Sequence, residues 1–166
     1  GRLHEGTAQT WIDHLARGLE CLWSRSLVHR DLKPQNLLLT EATDQGVLKI
    51  GDFGFARQLG PSKLAETLCG SPLYMAPELV KEQPYDHTVD LWSLGVILFE
   101  LLVGQPPFYT NSIYSLINHI VKDPVVFPSH VSERFESFLS GLLRKDPRRR
   151  LAWPELLEHP LVQDTD

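Results

Sequence analysis

Apolar residues return every three or four positions through residues 7–23. Ile12, Leu15, Ala16, Leu19, Leu22 and Trp23 fall on one side of a helical wheel, which predicts an amphipathic helix there. Two short apolar runs follow, Leu37-Leu38-Leu39 and Val47-Leu48-Lys49-Ile50, separated by a polar stretch that ends Asp44-Gln45-Gly46, and this alternation predicts a small β-hairpin. Residues 51–74 show no period and carry Gly51, Gly54, Gly60, Pro61, Gly70 and Pro72, so a long loop is expected, of the kind that usually carries function in a compact domain. From residue 90 the pattern turns helical. Residues 90–103 are apolar almost all round, as a central helix would be; Ile113, Leu116, Ile117 and Ile120 mark a second stripe, and Phe135, Phe138, Leu139, Leu142 and Leu143 a third. A last short helix is expected near Pro154, because proline suits a first helical turn. There is no internal repeat and no linker, which gives one mainly α domain with a two-stranded insert.

Composition narrows the class. The chain has 166 residues, 42% hydrophobic and 22% charged, near the globular average, so collagen-like, low-complexity and disulfide-scaffold classes are excluded. A net charge of -5 gives no basic excess to drive binding to a phosphate backbone, and nucleic acid is not expected as a partner. The apolar stretch 91–103 contains Ser93 and Glu100 and is shorter than the roughly 20 residues a membrane span needs, so it reads as a core helix. Cys21 and Cys69 lie far apart with no companion ligand pattern, which fits a reducing, cytoplasmic setting and neither a metal cluster nor a disulfide framework. The chain opens on Gly1 and its single methionine is Met75, as expected of a piece of a longer protein.

The chemistry lies in a few spaced motifs. His29-Arg30-Asp31-Leu32-Lys33-Pro34-Gln35-Asn36 stands between a helix and a strand; Asp52-Phe53-Gly54 follows the hairpin, and Ala76-Pro77-Glu78 closes the long loop. The five specified residues of the first motif would recur by chance at about one position in a few million. In this order the three resemble the catalytic loop, magnesium loop and activation-segment end of protein kinases. The resemblance covers essentially the whole chain, residues 1–166, and implies the C-terminal lobe of a serine/threonine kinase that transfers phosphate from ATP, with Mg²⁺, to hydroxyls of protein substrates.

Phosphoryl transfer asks a protein mainly for positioning and charge neutralisation, and the residue types fit that demand. By resemblance, Asp31 accepts the proton of the substrate hydroxyl, Lys33 places a cation near the transferred phosphate, and Asn36 and Asp52 are the hard oxygen ligands of the metal. Leu38 matches the floor under the adenine ring. Supporting roles are implied for His29, Arg30, Phe53 and Gly54. Ser71 matches a residue bridging Asp31 and Lys33, and Thr67 matches an activating phosphosite whose phosphate would pair with Arg30. Ser62 is a second, weaker phosphosite candidate. Asp90 reads either as a helix N-cap or, by resemblance, as a buried anchor of the catalytic loop, and both roles stay open. Glu78 and Arg150 are expected to form a buried bidentate pair. Arg144, Lys145, Arg148 and Arg149 read as a solvated face, and Cys69 as a spectator thiol.

Finer wording points two ways. Gly54-Phe55-Ala56-Arg57 and residues 68–78 look like the autophagy-initiating kinases, whereas Tyr85-Asp86-His87-Thr88, residues 104–109 and Lys122-Asp123-Pro124 look like the Fused kinases. The N-terminal lobe of the family, with its glycine-rich loop and strand lysine, has no counterpart in these residues, so the chain by itself is expected to bind ATP weakly and transfer phosphate negligibly. The alternative is a catalytically impaired interaction module that uses the groove near Phe108 and residues 113–121.

Overall fold

The computed structural model describes residues 3–43, 46–54, 56–58 and 72–163. Helix α1, Glu5–Trp23, begins two residues before the apolar stripe suggested, because the His4 side chain accepts the Gly6 N–H and so caps a turn that has no apolar residue to reveal it. Its inner face buries Ala8, Ile12, Leu15, Ala16 and Leu19. Leu22 is half-buried, and Trp23 stays 39% exposed while stacking on Trp153 at 5.4 Å.

After α1 the chain forms β1 (Leu27–Val28), a 3₁₀ turn (Pro34–Asn36), β2 (Leu37–Leu39) and β3 (Leu48–Ile50). The expected hairpin is present as an antiparallel β2–β3 pair with Leu37 opposite Ile50. A second antiparallel pair joins β1 to β4 (Arg57–Gln58), inside a stretch read from the sequence as loop throughout. Two residues are too few to show a period, and Arg57 lies 29 positions beyond its partner Val28, so no local signal marks this strand.

The helical half is built on α3, Thr88–Val103, of which all but Glu100 and Leu101 are buried. It packs against α1, against α5 (Glu133–Leu142) and against the 3₁₀ turn Pro72–Tyr74. Gly95 permits the approach to α5: a Cβ there would meet Leu143 at 2.9 Å and Leu142 at 3.0 Å. Gly104, at φ 94°, ends α3 in the left-handed conformation that closes helices. The short α2 (Pro77–Val80) precedes α3; α4 (Ile113–Lys122), a 3₁₀ turn (Pro147–Arg149), α6 (Glu155–Glu158) and α7 (Pro160–Gln163) complete the fold. The domain is mainly α, as the pattern predicted. Lys145 corrects the solvated-face reading: it is half-buried, and its Nζ donates to the Ile120 carbonyl at 2.6 Å. A lysine before Asp-Pro gives no sign in sequence that its stem turns inward. Among the described residues, no helix is long and apolar enough to cross a membrane.

Candidate active site

Residues 29–31 follow β1 directly and are held from behind by α3. Asp90, in the first turn of that helix and 3% exposed, accepts the His29 N–H at 2.7 Å with one carboxylate oxygen and the Arg30 N–H at 3.0 Å with the other. Of the two readings left open, the anchor holds; the helix start is tied by Asp86, which accepts the Thr88 N–H at 2.9 Å. Burial pushes the Asp90 carboxyl above its ordinary value, against the opposing pull of the two amide hydrogen bonds. The clamp fixes an unusual backbone, since Arg30 sits at φ 71°, a region few non-glycine residues adopt.

His29 is fully buried and links three parts of the site. Its Nδ1 accepts the Asp31 N–H at 3.2 Å, so the ring proton belongs on Nε2, which donates to the Gly51 carbonyl at 2.9 Å. The Phe53 ring meets it edge to face with centroids 5.3 Å apart. The stretch before Asp52 is thereby tied to the loop that carries Asp31.

Asp31 faces the front, its side chain 16% exposed. Oδ2 lies 3.2 Å from Lys33 Nζ and accepts from Asn36 Nδ2 at 3.2 Å, while the same Asn36 nitrogen donates to the Asp31 carbonyl at 2.7 Å. With its nitrogen engaged twice, Asn36 has its Oδ1 left as an oxygen donor. The Gly51 N–H donates to the Asn36 carbonyl at 2.8 Å, extending the β2–β3 ladder by one step and setting Asp52 beside the asparagine. Asp52 is exposed, at φ 51°, and one of its oxygens accepts the Gly54 N–H at 3.3 Å. Asp31, Lys33 and Asn36 thus form one contact cluster, and Asp52 follows the Gly51 whose N–H is bonded to Asn36. A protein kinase domain model matches residues 1–162 of this chain.

The chain belongs to the protein kinase family. Among its relatives, serine/threonine-protein kinase TIO of Arabidopsis thaliana is 57% identical over 164 residues, 98% of this chain and 12% of the relative. Serine/threonine-protein kinase fused of Drosophila melanogaster is 47% identical over 165 residues, 98% of this chain and 20% of the relative. Serine/threonine-protein kinase atg1 of Dictyostelium discoideum is 43% identical over 158 residues, 95% of this chain and 24% of the relative. Both groups to which the wording of the motifs pointed are therefore represented, and the chain spans only 12% to 24% of the length of these kinases.

Kinase-type support for the site is also visible away from the loop. Glu78 and Arg150 form the expected pair, Nη1 to Oε1 at 2.6 Å and Nη2 to Oε2 at 2.9 Å, with side chains 3% and 0% exposed. Arg150 also donates to the Thr88 carbonyl at 3.0 Å, so one guanidinium joins the end of the long loop to the start of α3. Leu38 is 59% exposed on β2, available to a flat ligand. Thr67, Ser71, Ser62 and Cys69 lie outside the described residues. Three partners escaped the sequence reading. Tyr85 accepts a hydrogen bond from Arg30 Nη1 at 3.3 Å, the Gly51 carbonyl sets the His29 tautomer, and Tyr74, its phenol pushed up by burial and by Glu100, donates to that carboxylate at 2.6 Å. Gly51 stood next to a recognised motif and could have been suspected; the tyrosines carried no such signal.

Proposed function

We propose that residues 1–166 are the catalytic and metal-binding half of a serine/threonine protein kinase domain, which moves the γ-phosphoryl group of ATP, with Mg²⁺, to serine and threonine hydroxyls of proteins. The observation that supports this best is the Asp31 carboxylate, held within 3.2 Å of both Lys33 and Asn36. Asp31 takes the proton from the acceptor hydroxyl as its oxygen bonds to phosphorus. Lys33, two residues on, balances the negative charge that gathers there. Asn36 Oδ1 and the Asp52 carboxylate would hold Mg²⁺. This donor set fits the ion, which commonly binds one or two protein oxygens together with phosphate oxygens and water. When bound, magnesium and ATP supply the phosphoryl group and the cationic charge that offsets its oxygens.

Leu38 packs beneath the adenine. His29, Arg30, Phe53, Gly54, Glu78, Asp90 and Arg150 hold the reacting groups in place, Ser71 steadies Asp31 and Lys33, and phosphorylation of Thr67 pairs with Arg30. The names of the relatives support a setting of the Fused or Atg1 type, and the two widely separated cysteines are the ground for placing it in the cytoplasm. Without the glycine-rich loop and strand lysine, these 166 residues alone bind ATP weakly and transfer negligible phosphate. Two measurements test the reading. Asp31→Asn in the complete kinase domain should abolish phosphorylation of a serine-containing protein while the protein stays folded, and retained turnover would remove Asp31 as the base. Appreciable magnesium-dependent transfer by the 166-residue chain alone would overturn the claim about the half-domain.

A further inference from the structure

Ser93 and Glu100 are the polar residues that interrupt the apolar run 91–103, and both reach the same tyrosine. Ser93, 6% exposed, donates its hydroxyl proton to the Tyr74 carbonyl at 2.7 Å, with the Val89 carbonyl of its own helix more distant at 3.1 Å. Glu100, two turns further along α3, accepts the Tyr74 phenol on Oε2 at 2.6 Å. The helix thus holds one residue at both ends, by its backbone and by the tip of its side chain. Tyr74 is buried and closes the 3₁₀ turn Pro72–Tyr74, which packs on α3 and on α4.

Placing a hydroxyl and a carboxylate on a core helix costs free energy unless each is paired. What the pairing adds is direction: apolar packing alone lets a ring slide or turn, whereas hydrogen bonds at two ends fix both the backbone position and the line of the side chain. The same helix already holds the catalytic loop. Asp90, Ser93 and Glu100 stand at i, i+3 and i+10 and share one face of α3. Asp90 grips the His29 and Arg30 amides, and Ser93 stands one turn further, about 4.5 Å along the axis. One rigid element therefore sets the spacing between the loop that carries Asp31 and the stretch that ends in Tyr74. Just before the clamp, Pro72 and Leu73 keep part of their surface open, while Tyr74, Met75 and Ala76 are buried.

We propose that Tyr74, gripped by Ser93 and Glu100, is a positioning residue for the protein acceptor: it holds Pro72 and Leu73 as a fixed ledge for the chain whose serine or threonine hydroxyl meets Asp31. The inference rests on the kinase reading and adds to it the residues that set acceptor binding apart from nucleotide binding. The phenol touches no reacting group. Its effect passes through the backbone of residues 72–74, so a loosened clamp blurs the place of the acceptor and leaves the cluster of Asp31, Lys33 and Asn36 as it was.

The test is steady-state kinetics of the full-length protein, with a serine-containing protein acceptor and ATP varied in turn. Tyr74→Phe keeps the ring and removes the hydroxyl; it should raise the acceptor KM about 3- to 10-fold, the worth of one hydrogen bond, while the ATP KM stays within about twofold of the parent. Glu100→Leu should act in the same way, and Glu100→Gln, which keeps an oxygen for the phenol, should recover most of the acceptor affinity. Equal rises in both KM values, an unchanged acceptor KM in Tyr74→Phe and Glu100→Leu, or a Glu100→Gln variant as impaired as Glu100→Leu overturns the proposal. If Glu100→Leu does not fold, Tyr74→Phe decides by itself. Absence of transfer by the parent protein would instead overturn the kinase reading, and this inference with it.

Discussion

Behind residues 29–31, buried polar groups are paired with one another: Asp90 holds two amides, His29 is fully buried with both ring nitrogens engaged, and Arg150 is shared between Glu78 and Thr88. In front, Leu38 and Phe53 are 59% and 51% exposed, and among the described residues the Asp52 carboxylate makes one 3.3 Å turn bond. The rear is a fixed frame, and the front is a surface made for contact. Precision in the site therefore comes from α3 and reaches Asp31 through two residues of backbone. Exposed groups such as Asp52 retain the solvent access that ligand binding requires.

The largest break in this contrast belongs to the group between the two sides. Asp31→Asn in the complete kinase domain should cost about 10²–10⁴-fold in phosphotransfer rate with little change in the unfolding midpoint. A comparable loss of stability would place Asp31 in the frame and not at the reacting face. Next come changes to the frame. Arg150→Met should lower stability by about 3–5 kcal/mol in urea titrations, because it strands the buried Glu78 carboxylate. Adding Glu78→Leu should recover part of that loss, and strict additivity would show that the pair is not a unit. Asp90→Ala orphans the His29 and Arg30 amides at about 1–3 kcal/mol each, with faster amide exchange across residues 29–31 as its signature.

Smaller effects sharpen the picture. Burial lowers Lys145 to about 8 in the folded state, so between pH 8 and about 10.5 the unfolded chain binds more protons and stability should rise with pH. The contribution is complete above the unfolded value and lost as the pH falls through 8, and Lys145→Met should remove this part of the slope. Its size is reduced by the solvent that reaches a half-buried side chain. At the front, Leu38→Ser should change stability by no more than about 0.5 kcal/mol while weakening nucleotide binding in the complete domain. A loss of several kcal/mol would mean that the hairpin face belongs to the frame.

Much of this contrast was legible in the chain. The apolar-all-round stretch gave α3, the two short runs gave β2 and β3, and the motifs, by their resemblance to protein kinases, nominated Asp31, Asn36 and Asp52. Glu78 with Arg150 was foreseen through resemblance, although 72 positions separate them. The β1–β4 pair was hidden by its shortness, and the His4 cap by an unusual residue choice. The inward turn of Lys145 could not be read either, because whether a long basic side chain snorkels outward or folds over a neighbouring ring depends on helices far away in sequence.

The β2–β3 ladder behaves as a vernier for whoever alters this protein. Asn36 and Asp52 are adjacent because each is counted from a paired strand, Leu37 against Ile50, and the turn between the strands does not enter the count. Exposed Glu41, Ala42 and Thr43 therefore offer a place to graft a tag or reporter, since lengthening a surface turn costs little. Removing one residue between Leu48 and Gly51 would instead slide the scale by a step and bring Phe53 to the mark where Asp52 belongs.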